Sequence, residues 1–310
     1  MLFTLITIVF SLVRFVPGDP THQYYSPKLG NELANKIKVQ FGLDQPVHVQ
    51  YVKWIRNLAQ GDLGYSISFR KPVIDVILTA LPVTLTLAIS ALIFQMFLGI
   101  LFGTLAGVNP NSKLDKAINT SSLVIYCAPS FLIGLFLIYF CSVTLGWFPT
   151  SHLHSTWYEE LSPIMQFLDS VHHMFLPVLT LTITSAAFTT RFVRNSISSV
   201  LNQPFITVLR STGMGEKRLI LLHALPNSLL PLITILGIEI GSLLGGALIT
   251  ETIFSLPGLG RLTVIAIFAR DYPLIIGCTL ISGCMVIFGN LIADMLHAKL
   301  DARVSFETIG

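Results

Sequence analysis

Thr79–Val108 is a run of thirty residues without a single Asp, Glu, Lys or Arg, and it has company. Five further apolar stretches run roughly over Met1–Val16, Ala117–Leu145, Leu176–Arg191, Ala224–Thr250 and Pro273–Ala298. Thirty helical residues reach about 45 Å, more than the ~30 Å hydrocarbon core of a bilayer. Only 11% of the 310 residues are charged, against about 25% in an ordinary soluble domain. A water-soluble surface cannot be built from so few charges. The pattern predicts an all-α integral membrane protein with about six transmembrane helices.

The first stretch is sixteen residues, about 24 Å as a helix, and "PGDP" (Pro17–Pro20) ends it. No basic segment precedes it and no A-x-A-like site follows it, which argues against a cleaved signal peptide. Residues 1–16 read as a membrane anchor with further residues expected before it. Residues 17–78 read as a large extracytoplasmic loop. Within it, "NELANKIKVQFGLDQPVHVQYVKWIRNLAQGDLG" alternates helical periodicity with Gly and Pro breaks, as short amphipathic helices at a membrane surface do. Tyr51, Trp54 and Tyr65 suit the interface. Residues 79–298 form the transmembrane core, with a charged loop at 195–223, and residues 299–310 form a tail. "LGWFPTS" (Leu145–Ser151) closes the third span, and no internal repeat is visible.

Loop charges set the orientation. Lys113, Lys116, Arg191, Arg194, Arg210, Lys217, Arg218, Lys299 and Arg303 make nine on one side. Arg261 and Arg270 make two in the short loops of the other. The seven in the long loop count little, because long loops translocate largely regardless of charge. The bias predicts a multi-pass membrane protein with both termini in the cytoplasm. No basic run points to nucleic acid. The four cysteines (Cys127, Cys141, Cys278 and Cys284) read as small packing residues in apolar stretches.

Between two apolar segments lies "NQPFITVLRSTGMGEKRLILLHALPNSLLP" (Asn202–Pro231), charged and glycine-broken. Asn202 suits an N-cap, Pro204 a first helical turn and Gly213 a C′ position, so Gln203–Thr212 predicts a compact helix of about 15 Å. After Gly215, Glu216 begins a second helix whose Leu219, Ile220 and Leu222 face apolar surroundings. A push on such a unit, tied to spans at both ends, must move them.

Gly213 followed at twelve and thirteen residues by Leu225-Pro226 resembles the G-x9-I-x-L-P part of the Glu-Ala-Ala loop in bacterial ABC importer permeases. His223 stands for the usual Ile, and Thr207-Val208-Leu209 for Glu-Ala-Ala. Loss of Glu-Ala-Ala with an Arg three before the Gly, as Arg210 is, resembles the peptide/nickel branch. Other motifs of that branch recur in order: "PGDP", "FGLDQPVHVQY", "GDLGYS", "LGWFPTS", "HHMFLPVLTL", "GGALITETIFSLPGLGRL" and "RDYPLI". The resemblance implies a type I ABC importer permease fold. It assigns ATPase coupling to Phe205, Arg210, Gly213, Gly215, Glu216, Leu225 and Pro226, through a cytoplasmic helix docked in an ATP-hydrolysing subunit. The implied partners are a second homologous permease, two cytoplasmic ATP-binding subunits, an extracytoplasmic solute-binding protein and membrane lipid.

No G-x-x-x-x-G-K-[ST], G-x-S-x-G or H-E-x-x-H occurs, so the chain offers no phosphate cradle, nucleophile elbow or zinc-protease site. The expectation is a transport subunit, not an enzyme, with no cofactor of its own; ATP and Mg would be bound by partners.

Glu239, near the middle of the fifth span, is costly there unless it faces water, a partner or a proton. With the small residues Gly237, Gly241, Ser242, Gly245 and Gly246 it reads as a tentative translocation-path site (Glu239, Gly241, Ser242). A hydrogen bond to the second permease is the competing role. Glu251 and Arg261 read as an ion pair or as headgroup contacts, and Asn290 with Asp294 as a helix–helix polar clamp. His172 and His173 invite a nickel reading, but adjacent residues point to different helix faces, so no metal site is assigned. The expected cargo is a di- or oligopeptide, nickel or a nickel chelate. Alternatives are another small solute such as glutathione, or a proton-coupled secondary transporter using Glu239 and Asp294.

Overall fold

The computed structural model describes residues 2–15, 45–229, 231–232, 236, 239 and 247–300. Among these, regular structure is helical apart from one small hairpin, Tyr65–Ser66 (β1) antiparallel to Lys71–Pro72 (β2). The helices are α1 (Leu2–Phe15), α2 (Val47–Ala59), α3 (Val73–Val108), α4 (Lys113–Cys127) and α5 (Ser130–Leu137). Then come α6 (Pro163–Leu201), α7 (Pro204–Ser211), α8 (Glu216–Leu219), α9 (Leu248–Ile253), α10 (Leu259–Phe268) and α11 (Tyr272–Leu300). Three helices, α3, α6 and α11, are long and apolar enough to cross a membrane. About half of the expected fifth span (230, 233–235, 237–238 and 240–246) falls outside the described residues, as do 17–44 of the long loop and 301–310 of the tail.

The chain divides into two compact units. The first holds Met1–Pro82 and Gly258–Cys284. Its core is Ile6 on α1 and Ile276 and Leu280 on α11, flanked by Trp54, Ile55 and Leu58 of α2. Phe10 stacks on Trp54 at 5.4 Å and meets Tyr51 edge-on at 5.1 Å. The Tyr51 hydroxyl lies 2.7 Å from that of Thr7. Tyr51 and Trp54 therefore seal α2 against α1. Tyr65 alone of the three is exposed.

Asp271 clamps the hairpin of this unit. It is 1% exposed, and its Oδ2 accepts from the Ser66 hydroxyl at 2.6 Å and the Ser68 N–H at 2.9 Å. "GDLGYS" and "RDYPLI" thus meet, 205 residues apart. Close approach of α11 to the start of α3 needs Gly277, where a Cβ would lie 2.5 Å from the Val73 side chain.

The second unit holds Val83–Pro257 and Met285–Gly310. One core cluster joins Leu87, Ala88 and Ala91 of α3 to Met174, Leu176 and Leu181 of α6, with Phe254 and Leu256. Farther along, α3 and α6 close on a glycine stripe four residues apart. A Cβ on Gly99, Gly103 or Gly107 would lie within 2.7 Å of Thr189, Val193 or the Arg194 carbonyl oxygen respectively.

The expected third span is not one straight helix. α4 and the segment Ser130–Thr144 meet at 102°. The cause is Pro129: the residue before a proline is pushed out of the α region, and Ala128 sits at φ −79°, ψ 132°. α5 then continues as a π-helix over Ile138–Thr144.

The expected fourth span also differs, since α6 begins thirteen residues before Leu176, at Pro163. At 39 residues it is about 58 Å long, well beyond a ~30 Å hydrocarbon core. The early turns carry Gln166, Asp169, His172 and His173, and this polarity hides the helix from a reading based on apolar runs.

Candidate functional site

The charged segment between the two apolar stretches folds as a short helix between two tight turns. α7 spans Pro204–Ser211, with Pro204 in the first turn and Gln203 as N-cap. Asn202 is not the N-cap: it closes α6, and its side-chain amide donates to the Ser198 carbonyl at 2.8 Å. With two residues between the helices, the earlier one takes Asn202 and Gln203 is left for the next.

Gly213 holds φ +81°, the left-handed geometry expected after a helix end, and its N–H donates to the Arg210 carbonyl at 3.0 Å. Gly215 differs. It sits at φ −64°, ψ 139° as N-cap of α8, with open space where a Cβ would go. Its conformation suits any residue.

Ile206 and Leu219 are fully buried and, with Val200 and Ala224, form the core beneath the turn. Phe205, Leu209 and Ile220 pack partly against it. Leu222, expected on the apolar face, is 58% exposed. The outer face of α7 carries Thr207, Val208, Arg210 and Ser211, all exposed. Arg210 Nε donates to Glu216 Oε1 at 2.8 Å across the Gly213 turn. Both side chains lie open to solvent, so the pair contributes about 0–1 kcal/mol and mainly fixes the turn's geometry. After α8 comes a π turn, Ile220–Ala224. It stands just before Pro226, whose missing N–H and bulky ring exclude a regular bond to the Leu222 carbonyl. Leu225 packs against the Val193–Ile197 core, while Pro226 is exposed.

One residue pair ties this turn to the rest of the unit. Arg194 Nε and Nη2 donate to Asp115 Oδ1 and Oδ2 at 2.9 and 2.7 Å. Asp115 is 2% exposed, and its Oδ2 also accepts the Asn111 N–H at 2.8 Å. The start of α4 and the last turns of α6 are therefore locked together ten residues before α7 begins. Sequence reading counted Arg194 among the inner cations and missed its partner, 79 residues away.

The second candidate site is inside the membrane. Glu239 is half-buried, and Gln95 Nε2 of α3 lies 3.5 Å from its Oε2. Gln95 is fully buried, and its Oε1 has no hydrogen-bond partner. Gly241 and Ser242 lie outside the described residues. Gln95 had a legible signal: it is a lone amide within the thirty uncharged residues of Thr79–Val108.

Other polar residues fall into local roles. Glu251 is 0% exposed and accepts from the Thr84 hydroxyl at 2.6 Å, so it is not a headgroup contact. Asn290 and Asp294 are both exposed on α11 and clamp no described helix. His172 Nε2 lies 2.8 Å from the Trp147 carbonyl oxygen, and His173 Nδ1 2.8 Å from that of Asp169. No group of three metal-ligating side chains forms among the described residues. In the loop before α6, His154 stacks on Tyr158 at 3.8 Å and stands 3.9 Å from an Asp169 oxygen. Burial pushes the His154 imidazole below its ordinary value, with Asp169 opposing.

Among the described residues, several apolar helices with a short exposed helix turned out between two of them give the architecture of a membrane transport permease. Residues 99–306 match the family of binding-protein-dependent transport system inner membrane components, and residues 1–88 match that family's N-terminal membrane component. The chain belongs to this family of ABC importer permeases, which displaces the secondary-transporter alternative. It is similar to the oligopeptide transport system permease protein AppB of Bacillus subtilis, 41% identical over 97% of this chain and 94% of that one. It is also similar to the di/tripeptide permease protein DppB of Pseudomonas aeruginosa, 35% identical over 98% and 95%. The glutathione permease protein GsiC of Escherichia coli is 34% identical over 99% and 95%. Among solved structures, an inward-facing MetNI methionine ABC transporter aligns with TM-score 0.56 at 17% identity, covering 74% of this chain and 97% of that one. An amino acid ABC transporter with histidines aligns with TM-score 0.54 at 20% identity, covering 73% and 94%. These establish the type I permease fold.

Proposed function

We propose that the chain is one of two permease subunits of an ATP-driven importer for di- and oligopeptides. The observation that carries this reading is near full-length similarity, at 34–41% identity, to permeases named for oligopeptide, di/tripeptide and glutathione transport. Glutathione is itself a small peptide, so the three share a substrate chemistry. The partners would be a second permease, two cytoplasmic ATP-binding subunits that hold ATP and Mg, and an extracytoplasmic solute-binding protein docked on the outer loop. Both termini would face the cytoplasm.

In this mechanism α7 is the contact for an ATP-binding subunit. Its exposed face offers Val208 and Arg210, while Ile206 fastens its inner face to the body. Closure of the ATPases displaces α7. The displacement passes into α6 through residues 202 and 203, and into α4 through Arg194 and Asp115. The glycine stripe carries it on to α3, because helices in backbone contact cannot slide independently. Glu239 would line the path so moved.

The test is reconstitution of the four-part complex with its binding protein, and mass spectrometry of the ligand that co-purifies with that protein. A peptide ligand, with ATP-dependent uptake into proteoliposomes, is expected. A non-peptide ligand, or ATP turnover by this chain alone, would overturn the reading.

A further inference from the structure

We propose that Gln95 and Glu239 form a station within the membrane for the primary ammonium group at the amino terminus of a transported peptide. This rests on the peptide-import reading and names the part of the cargo that the pair meets.

The argument is a count of donors and acceptors. A carboxylate offers about four lone-pair sites and no donor, while an amide offers two donors and one acceptor oxygen. Here the single contact between them is the 3.5 Å approach of Gln95 Nε2 to Glu239 Oε2, at the outer limit of a hydrogen bond. Gln95 Oε1 is buried without any donor. Among the described residues the site is thus short of donors, and its carboxyl group supplies a negative charge when ionised. A primary ammonium brings three N–H donors and one positive charge, and it is compact enough to sit against the Glu239 carboxylate.

Depth and access agree with that ligand. Gln95 is thirteen residues from the inner end of α3 at Val108, about 20 Å along the helix and well within the hydrocarbon span. An uncompensated carboxylate at that depth costs several kcal/mol and marks substrate pathways. Gln95 is fully buried while Glu239 is half-exposed, so the carboxylate opens outward and the amide backs it. That makes Glu239 the contact and Gln95 the positioning residue.

The experiment uses the full complex in proteoliposomes, with its binding protein, and compares a tripeptide with its N-acetyl form. Each is supplied at a concentration that saturates the binding protein. The wild type should move the free-amine peptide at least about tenfold faster. Glu239→Gln should reduce that preference to under about threefold, and Gln95→Leu should reduce it partway. Subunit assembly should match the wild type. Unchanged preference in both variants would overturn the proposal. So would an equal fall for both peptides, which is what a packing or proton-holding role predicts, or loss of assembly in both variants. If the wild type moves neither peptide, the peptide-import reading itself fails.

Discussion

Replacing Asp115 with alanine strips Arg194 of two charge-assisted bonds at the point where α6 is about to hand over to α7. Hydrogen bonds to charged groups contribute about 1.5–3 kcal/mol each, and orphaning one partner of a buried pair costs about 3–5 kcal/mol. The Arg194 side chain keeps 23% of its surface open. Water recovers part of the loss, leaving about 2–3 kcal/mol for Asp115→Ala. Arg194→Ala instead strands the carboxylate, whose side chain is 3% exposed, and should cost more, about 3–4 kcal/mol. Independent losses would then sum to about 5–7 kcal/mol. A coupled pair predicts that the double variant costs little more than Arg194→Ala alone, because neither charge is left without its partner. Unfolding the purified chain by SDS titration in mixed micelles measures all four corners of the cycle. Additive losses would refute the claim that this pair is the tie between α4 and α6. In the whole complex the same variants should keep basal ATP hydrolysis and lose its stimulation by the loaded binding protein.

Gly213→Val forces a side chain into φ +81°, a cost of at least about 1 kcal/mol; uptake and stimulated ATPase activity should fall, while Gly215→Ala at equal expression leaves both unchanged. Equal phenotypes would refute the distinction between the two glycines. Gly103→Val would press a Cβ 2.7 Å from that of Val193, and overpacking of this kind costs about 1–3 kcal/mol. A lowered thermal midpoint in detergent is expected, and no change would show that α3 and α6 do not touch there. The folded-state value of His154 lies below its ordinary 6.5, so the unfolded loop binds more protons near that pH. Its contribution to stability is present above pH 6.5 and is lost as pH falls towards the folded value. Protection factors in residues 151–162, corrected for the intrinsic pH dependence of amide exchange, should therefore be lower at pH 5.5 than at pH 7.5, and His154→Phe should remove that difference.

Whatever depends on local period and composition was legible. The uncharged run at Thr79–Val108 becomes α3, and the Pro204 and Gly213 signals bracket α7. The failures have specific causes. The bend at Ala128 comes from one proline whose effect on its predecessor an apolar count cannot register. The start of α6 was masked by polar residues whose partners lie within its own first turns or in the preceding loop, as with His173 and Asp169. Asn202 and Gln203 both suit an N-cap by position, and only the shortness of the connection decides between them. Asp115–Arg194 and Gln95–Glu239 join residues 79 and 144 positions apart, and no local pattern encodes such a pairing. The lone amide of α3 marked one end of one pair without indicating the other.

The two-residue join between α6 and α7 also sets a rule about insertions and deletions. From Arg194, held by Asp115, to Pro204 is ten positions, seven of them the unbroken helix 195–201. Adding one residue there would swing everything beyond it by about 100° around the helix axis and push it about 1.5 Å along. The face bearing Val208, Arg210 and Ser211 would then point away from whatever it now meets. No side chain need change for that contact to be lost. Ten is a phase setting, as the tooth count is in a gear train. The loop between α5 and α6 carries no such setting, so indels there should pass where a single added codon before α7 does not.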